Sequence, residues 1–170
     1  MLLENKRSRF ESLVKAFSAE LFRYAHWLCR DRFLAEDLVQ ETFMRAWHAW
    51  AGLRDDKAAR SWLYTILRNE HARLYERKRL DIAAGFDLDA IADRTAGLAD
   101  QRLEMREALE SLPGSYREPL ILQVLGGFSC AEIAGIMDLS MGAVMTRLTR
   151  ARLALRRLPG WERTRKVGKR

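Results

Sequence analysis

The chain has 170 residues, which suits one domain of ordinary size or two small ones. Its net charge of +7 indicates solubility first and a polyanionic partner second. Its two cysteines, Cys29 and Cys130, indicate neither a disulfide framework nor a zinc site. The sequence contains no GxxxxGK[ST], GxGxxG, GxSxG or HExxH motif, and no apolar run long enough for a signal peptide or a membrane span. We therefore expect no enzyme activity, cofactor, metal, small-molecule substrate or membrane insertion, and a cytoplasmic location.

The apolar residues recur at helical spacing from Phe10 to Leu158, and no stretch alternates like a β-strand. Residues 1–80 form a helical block rich in tryptophan and arginine. Residues 81–100 are acidic, contain two glycines and have no strong period, which indicates a linker with room for a short helix inside it. A second helical block, 101–158, ends at a Pro-Gly pair, and residues 159–170 form a basic tail. The sequence thus predicts an all-α fold with two small helical domains joined by an acidic linker.

The stretch DLVQETFMRAW at 37–47 predicts an amphipathic helix in the first block. One stripe of this helix is apolar and should face a core; it consists of Val39, Phe43, Ala46, Trp47 and Trp50. The opposite face is acidic although the chain is basic, and it consists of Asp37, Gln40, Glu41, Met44 and His48. A methionine within a polar surface suits an adaptable protein contact, and an ordinary solvated face is the alternative.

The stretch SWLYTILRNEHARLYERKR at 61–79 predicts the next helix. Its inward-facing residues are Leu63, Ile66, Leu67 and Leu74. Around this stripe, aromatic residues are interleaved with arginines, a combination that can stack on unpaired bases while it neutralises nearby phosphates. The alternative is that Trp62 and Tyr64 belong to the core, as large aromatic residues usually do.

In the second block, the spacings of Ser115 to Glu118 and of Ser129 to Glu132 predict capping boxes that begin two helices, with Pro119 in the first turn of the earlier one. A tight turn at 138–140 then precedes a basic helix, MGAVMTRLTRARLALRR. Two short helices of which the second is basic are typical of a helix-turn-helix, whose second helix enters the major groove of DNA. A basic surface helix in an ordinary bundle is the alternative. The inner stripe of the second helix is predicted to be Val144, Leu148, Ala151 and Leu155.

Three stretches, in this order, resemble bacterial sigma factors of the extracytoplasmic-function (ECF) group: AEDLVQETFMRAW at 35–47, SWLYTILRN at 61–69, and the helix-turn-helix region at 112–156. The resemblance covers nearly the whole chain apart from the linker and the tail. It implies a sigma-2 domain at 1–80, a sigma-4 domain at 101–158, and an acidic connector between them that threads toward the polymerase active centre. It also implies binding to core RNA polymerase and to promoter DNA, promoter-specific initiation without an active site, and an anti-sigma factor that could hold the chain at the inner membrane.

The resemblance assigns three sets of site residues. The docking set, on the helix that binds the clamp helices of the large polymerase subunit, is Asp37, Gln40, Glu41 and Met44. The minus-ten set, which captures a flipped base of the melted promoter, is Arg54, Lys57, Arg60, Trp62, Tyr64, Arg68, Asn69 and Arg73. The minus-thirty-five set, on the second helix of the helix-turn-helix, is Gly142, Ala143, Met145, Thr146, Arg147, Thr149 and Arg150. The family usually has Lys or Arg at the position of Met145, so we expect a shifted or relaxed preference in the minus-thirty-five element.

The main alternative is a stand-alone transcriptional regulator with a LuxR-like helix-turn-helix. Such a protein would bind its operator tightly by itself and would not need the acidic docking face. A nucleic-acid enzyme would need clustered carboxylates or a metal site, whereas the acidic residues here are scattered. An interaction-only protein would not need the basic recognition helix.

Overall fold

The structure is a computed structural model that describes residues 2–50, 53, 55–83 and 100–158. A short 3-10 turn at Asp56–Ala58 precedes the third of its helices. The helices within these residues are α1 (Leu2–Cys29), α2 (Arg32–His48), α3 (Ala59–Ala83), α4 (Asp100–Ser111), α5 (Gly114–Val124), α6 (Cys130–Met137) and α7 (Met141–Arg156). The same residues contain no β-strand, so the prediction of an all-α fold is confirmed.

Contacts divide the chain into two compact units, Met1–Asp93 and Arg94–Arg170. The predicted linker at 81–100 is too long at both ends, because α3 continues through Ala83 and α4 begins at Asp100. No glycine or proline occurs between residue 80 and Gly85, so nothing in the backbone stops α3 where the composition becomes acidic. The rest of the predicted linker and the predicted basic tail lie outside the described residues.

The first unit is a bundle in which α1, α2 and α3 pack against one another. Its core contains the fully buried side chains of Leu21, Leu63 and Leu67. Burial of aliphatic side chains of this size stabilises the folded state by about 2 kcal/mol each. The inward stripe predicted for the 61–79 helix is therefore confirmed at Leu63 and Leu67, while Ile66 and Leu74 are half-buried.

The apolar stripe predicted on α2 faces this bundle. Val39 and Ala46 are buried, while the aromatic members of the stripe are half-buried. They pack around Phe10 of α1, whose ring lies 5.0 Å from that of Trp47 and 5.3 Å from that of Trp50, with the ring planes steeply inclined. Edge-to-face contacts of this kind add to the apolar burial. This aromatic cluster holds the N-terminal part of α1 against the C-terminal end of α2.

In the second unit, α5, α6 and α7 pack against one another. The N-terminus of α6 has the predicted capping box, in which Ser129 and Glu132 each satisfy a backbone N–H of the other. Ser140 caps α7 by accepting a hydrogen bond from the N–H of Ala143. The predicted inner stripe of α7 is buried in full, with Val144, Leu148, Ala151 and Leu155. The helices α6 and α7 form the helix-turn-helix that the sequence predicted.

Two backbone positions shape the turns on either side of α6. A Cβ atom at Gly126 would lie 2.5 Å from the carbonyl oxygen of Leu122 and 2.6 Å from the ring of Phe128, so only glycine fits. Asp138 has a φ of 53°, in the left-handed region that aspartate tolerates better than most residues. This residue ends α6 and makes the tight turn that was predicted before α7.

The N-terminus of α5 differs from the prediction. The helix begins at Gly114, its N-cap is Pro113, and no side chain caps it. Ser115 is therefore already a helical residue and cannot form the predicted capping box with Glu118. The spacing of serine and glutamate was correct for a capping box, but Pro113 is the N-cap instead of Ser115, so the helix starts two residues earlier than that box requires.

Pro119 lies inside α5 rather than in its first turn, so its predicted position is also wrong. A proline there removes one helical hydrogen bond, and the full burial of its ring offsets part of that cost. Arg117, from the same helix, donates to the carbonyl oxygens of Glu110 at 3.0 Å and of Leu112 at 2.8 Å. This arginine satisfies the free carbonyl groups at the end of α4 and ties α4 to α5.

Candidate polymerase and nucleic-acid interface

The outward face of α2 displays the docking set. Asp37 and Gln40 are exposed, Glu41 is half-buried, and the side chain of Met44 is 58% exposed. Because these residues recur at helical spacing, they lie on one face of α2. The structure thus brings the whole set together as an acidic surface that includes one apolar side chain.

A network of ion pairs behind this face joins α2 to α3. The Nε atom of Arg45 lies 3.0 Å from Oε1 of Glu41 and 2.7 Å from Oε1 of Glu70. The N–H at this atom is aligned with neither oxygen, so the two contacts are electrostatic. Nη1 of Arg73 donates to the same oxygen of Glu70 at 2.8 Å. Glu70 is only 8% exposed, and a carboxylate so shielded from water depends on its two arginine partners.

A cleft of about 280 Å³ opens between α2 and α3 beside this network. Its lining includes Asp37 and Glu41 from the docking set and Arg73 from the minus-ten set. The two predicted sets therefore meet at one edge of the first unit. The sequence separates Asp37 from Arg73 by most of two helices, and their proximity follows from the packing of α2 on α3.

Two members of the minus-ten set contact α1. Arg60 donates to Glu20 of α1 from Nε at 2.8 Å and from Nη2 at 3.0 Å, a bidentate pair that joins α3 to α1. Tyr64 is 3% exposed, and its ring lies 4.9 Å from that of Tyr24. Burial raises the pKa of Tyr64 to about 12, and the carboxylate of Glu20 adds to this effect. The assignment of Tyr64 to a DNA-facing surface is wrong, because the ring belongs to the core.

The other members of the minus-ten set lie nearer to solvent. Lys57, Asn69 and Arg73 are exposed, although Arg73 is paired with Glu70 as described above. Trp62 and Arg68 are half-buried. Arg54 lies outside the described residues. Half-burial of Trp62 leaves part of its ring surface accessible, which is the condition for a tryptophan that both packs and stacks on a base.

The helix α7 presents the minus-thirty-five set on the side away from its buried stripe. The exposed members are Gly142, Met145, Thr146, Thr149 and Arg150, and the half-buried members are Ala143 and Arg147. The helix contains no acidic residue. Arg150 donates a hydrogen bond to the hydroxyl of Tyr116, and Arg152 donates one to the side-chain amide oxygen of Gln123. Both acceptors are neutral. These contacts leave the positive charges available for phosphates.

Three residues with a place in these surfaces were missed by the sequence reasoning. Phe33 precedes Asp37 by one helical turn on the same face of α2 and is 74% exposed. Its outward helical position, which is unusual for an aromatic residue, could have identified it from the sequence. Met141 directly follows the N-cap of α7 and is 54% exposed. Glu70 gave no signal, because a glutamate in a basic helix is usually a solvated residue.

The part of the chain that the structure describes offers neither a metal site nor a membrane-spanning helix. Among the residues that it describes, no cluster of histidine, cysteine, aspartate and glutamate could hold a metal ion. No helix in the described ranges is long and apolar enough to cross a membrane. Cys29 and Cys130 are half-buried free thiols.

A chain whose second unit has a helix-turn-helix with a basic recognition helix belongs to the class of DNA-binding proteins. Two family models match: Sigma-70 region 2 matches residues 13–80, and Sigma-70 region 4 matches residues 102–155. Over 159 residues the chain is 31% identical to the ECF RNA polymerase sigma factor SigM of Mycobacterium tuberculosis, covering 93% of this chain and 81% of that protein. Over 163 residues it is 33% identical to the ECF RNA polymerase sigma-E factor of Salmonella typhimurium, covering 83% of this chain and 85% of that protein. The chain belongs to the ECF group of RNA polymerase sigma factors.

Two solved structures are similar to the chain as well. One is the sigma factor RpoE from Bartonella quintana in complex with the anti-sigma factor NepR, with a TM-score of 0.70, 30% identity, and coverage of 86% of this chain and 94% of that chain. The other is CnrH in complex with the cytosolic domain of CnrY, with a TM-score of 0.65, 28% identity, and coverage of 88% of this chain and 86% of that chain. The prediction of a sigma factor that directs promoter-specific initiation with core RNA polymerase is confirmed. The LuxR-like alternative is not supported.

Proposed function

We propose that the outward face of α2 is the surface by which this sigma factor docks on core RNA polymerase. The observation that carries the proposal is the composition of that face: Phe33 is 74% exposed, Met44 is 58% exposed, and the acidic Asp37 lies between them on a chain with a net charge of +7. Large apolar anchors among charged residues are typical of protein interfaces, where the anchors provide affinity and the charges provide association rate and specificity.

The ion-pair network supports this docking role. Arg45 lies between Glu41 and the buried Glu70, and this ion-pair network restrains the Glu41 side chain against α3. A carboxylate that is restrained before binding loses less conformational entropy when a partner engages it. Glu41 is thus held at the edge of the docking face, next to the exposed Asp37.

Promoter DNA contacts two helices whose surfaces differ in chemistry. The surface of α3, with the partly accessible Trp62 and the neighbouring Arg68 and Asn69, suits melted minus-ten DNA, because an aromatic ring stacks on an unpaired base while nearby polar groups bind the backbone. The surface of α7 suits duplex minus-thirty-five DNA, because its first turns can enter the major groove while Arg150 lies farther along for a phosphate.

An anti-sigma factor restrains the chain until the polymerase is to be engaged. One similar solved structure is a complex of a sigma factor with the anti-sigma factor NepR, and the other is a complex of CnrH with the cytosolic domain of CnrY. The chain itself acts in the cytoplasm and has no catalytic activity of its own. An anti-sigma factor anchored in the inner membrane would hold the chain there by covering its polymerase-binding surfaces.

Transcription in vitro with purified core polymerase and a promoter library tests this function. We expect specific transcripts only when the core enzyme and this chain are both present. The variant Asp37→Lys should reduce core binding, whereas Glu107→Lys, which makes the same charge change at an exposed position of α4, should not. Tight binding of duplex DNA by the isolated chain, without any stimulation of core polymerase, would overturn the proposal.

A further inference from the structure

The first turns of α7 expose two methionines in line. Met141 and Met145 are four residues apart and are 54% and 52% exposed, so their side chains project from the same side of the helix. Between them, Gly142 has open space where a Cβ atom would lie, and Ala143 adds only a methyl group. The first charged side chain of the helix is Arg147. The end of the recognition helix that approaches base edges therefore presents mainly apolar groups.

The chemistry of the major groove limits what such a surface can read. Arginine or lysine pairs with guanine, asparagine or glutamine pairs with adenine, and an apolar side chain contacts the C5-methyl group of thymine. A thioether is at most a weak acceptor and has no proton to donate to guanine. Methionine is also flexible and polarisable, so it can adapt to the position of a methyl group.

We propose that Met141 and Met145 select thymines in the minus-thirty-five element by contact with their C5-methyl groups. The inference rests on the proposed function, in which α7 enters the major groove of that element. Four residues of α-helix advance by about 6 Å, and stacked bases on one strand are about 3.4 Å apart. The two thymines should therefore lie within about two base pairs of each other.

The packing of α7 keeps both methionines on the DNA side. Val144 and Leu148 are buried and fix the rotation of the helix about its axis. The hydroxyl of Thr149 donates to the carbonyl oxygen of Met145 at 2.9 Å, so this hydroxyl proton is not available for a base edge. Arg150 lies beyond the methionines, where a phosphate contact would set the register of the helix on the duplex.

Replacement of thymine by deoxyuridine in the DNA tests the proposal, because it removes only the methyl group. A promoter library first yields the preferred minus-thirty-five element of the holoenzyme reconstituted with core polymerase. Each thymine is then replaced in turn, and closed-complex affinity is measured. We expect binding to weaken about fourfold for each contacted methyl group. Met145→Ala should abolish the effect at one thymine and Met141→Ala at the other.

Leu153→Ala is the matched control, because Leu153 is an apolar residue of the same helix, 46% exposed, far from the methionines. This variant should keep the full response to deoxyuridine. If deoxyuridine at every position leaves wild-type binding unchanged while the holoenzyme still initiates from the selected promoters, the methionine proposal is overturned and the proposed function stands. If the library yields no promoter at all with core polymerase, both are overturned.

Discussion

The arginines at the helix contacts of the first unit have different partners from the arginines on the exposed face of α7. In the first unit, Arg60 is paired with Glu20, and Arg45 lies against Glu70, so these positive charges are neutralised by carboxylates on neighbouring helices. In the second unit, Arg150 donates a hydrogen bond to the neutral hydroxyl of Tyr116. The helix that carries Arg150 has no acidic residue. Arg45 and Arg60 therefore stabilise the packing of the first-unit helices, whereas Arg150 on the exposed face of α7 remains available for phosphates.

The difference teaches that a high content of arginine does not by itself identify a DNA-binding surface. Glu20 is 20% exposed and Glu70 is 8% exposed, so both carboxylates would be poorly solvated without their arginine partners. Arg45 and Arg60 are thus required by the bundle before any contact with DNA is considered. Variants of paired and unpaired residues can separate the two uses.

Truncation of Tyr64 should have the largest effect. Because Tyr64 is 3% exposed, Tyr64→Ala should lower the free energy of unfolding of the first unit by about 3 kcal/mol. Tyr75, on the same helix, is 67% exposed, so Tyr75→Ala should change it by less than about 0.5 kcal/mol. Urea unfolding followed by circular dichroism measures both. Equal stability of the two variants would show that Tyr64 is a surface residue and would restore it to the minus-ten set.

The pKa of Tyr64 makes the first unit sensitive to alkali. The unfolded chain loses the phenol proton near pH 10, whereas burial holds the pKa in the folded protein at about 12. The stabilisation from the neutral phenol is therefore complete below pH 10 and is lost as the pH rises from 10 to 12. The loss amounts to about 2 kcal/mol.

The variant Tyr64→Phe isolates this effect, since it keeps the ring but has no ionisable hydroxyl. Urea unfolding at a series of pH values should show a steeper loss of stability in the wild type than in Tyr64→Phe between pH 10 and 12. Parallel curves for the two proteins would rule out a buried, titrating Tyr64.

Removal of the charge of Glu70 should break the tie between α2 and α3. Glu70→Gln leaves Arg45 and Arg73 without their shared carboxylate, and we expect the free energy of unfolding to fall by about 2 kcal/mol, since both arginines remain partly solvated. Glu76→Gln, at an exposed position of the same helix, is the control and should be nearly neutral. A wild-type unfolding curve for Glu70→Gln would mean that the network contributes nothing to packing.

Loss of the exposed ring of Phe33 should affect binding without affecting the fold. Phe33→Ala should weaken the complex with core polymerase about tenfold, because a large exposed aromatic anchor is removed from the proposed docking face. Its unfolding curve should match that of the wild type, since the ring is 74% exposed. Titration of labelled core polymerase measures the affinity, with Tyr75→Ala as the control for an exposed aromatic residue. Unchanged affinity in a folded Phe33→Ala protein would indicate that this face is only solvated.

The smallest expected effects are those of Arg150→Ala and Arg60→Ala, which compare an arginine available for phosphates with an arginine paired to a carboxylate. Arg150→Ala should reduce the slope of log affinity against log salt for holoenzyme binding to duplex promoter DNA by about 0.9, the value for one phosphate contact. It should leave stability unchanged. Arg60→Ala should behave in the opposite way, with an unaltered slope and a loss of about 1 kcal/mol from the unpaired Glu20. Similar salt slopes for the two variants would contradict the distinction between the units.

Much of the architecture follows from the sequence alone. Helical periodicity predicted the all-α fold, the buried stripes of α2 and α7, and the helix-turn-helix, because these features depend on residues three or four positions apart. The capping box at Ser129 and the turn at 138–140 were predicted for the same reason: their partners are neighbours along the chain. The order of three motifs was enough to identify the family.

The tertiary structure decided which side chains are free to bind a partner. The sequence could not show that Tyr64 packs on Tyr24, that Glu70 lies between two arginines, or that α5 begins at Gly114 without the predicted box. Each of these outcomes depends on how helices pack together or on where a helix starts after a proline. Periodicity places a residue on a face, but burial and ion pairing depend on the surface that the face meets, and that surface comes from residues distant in sequence.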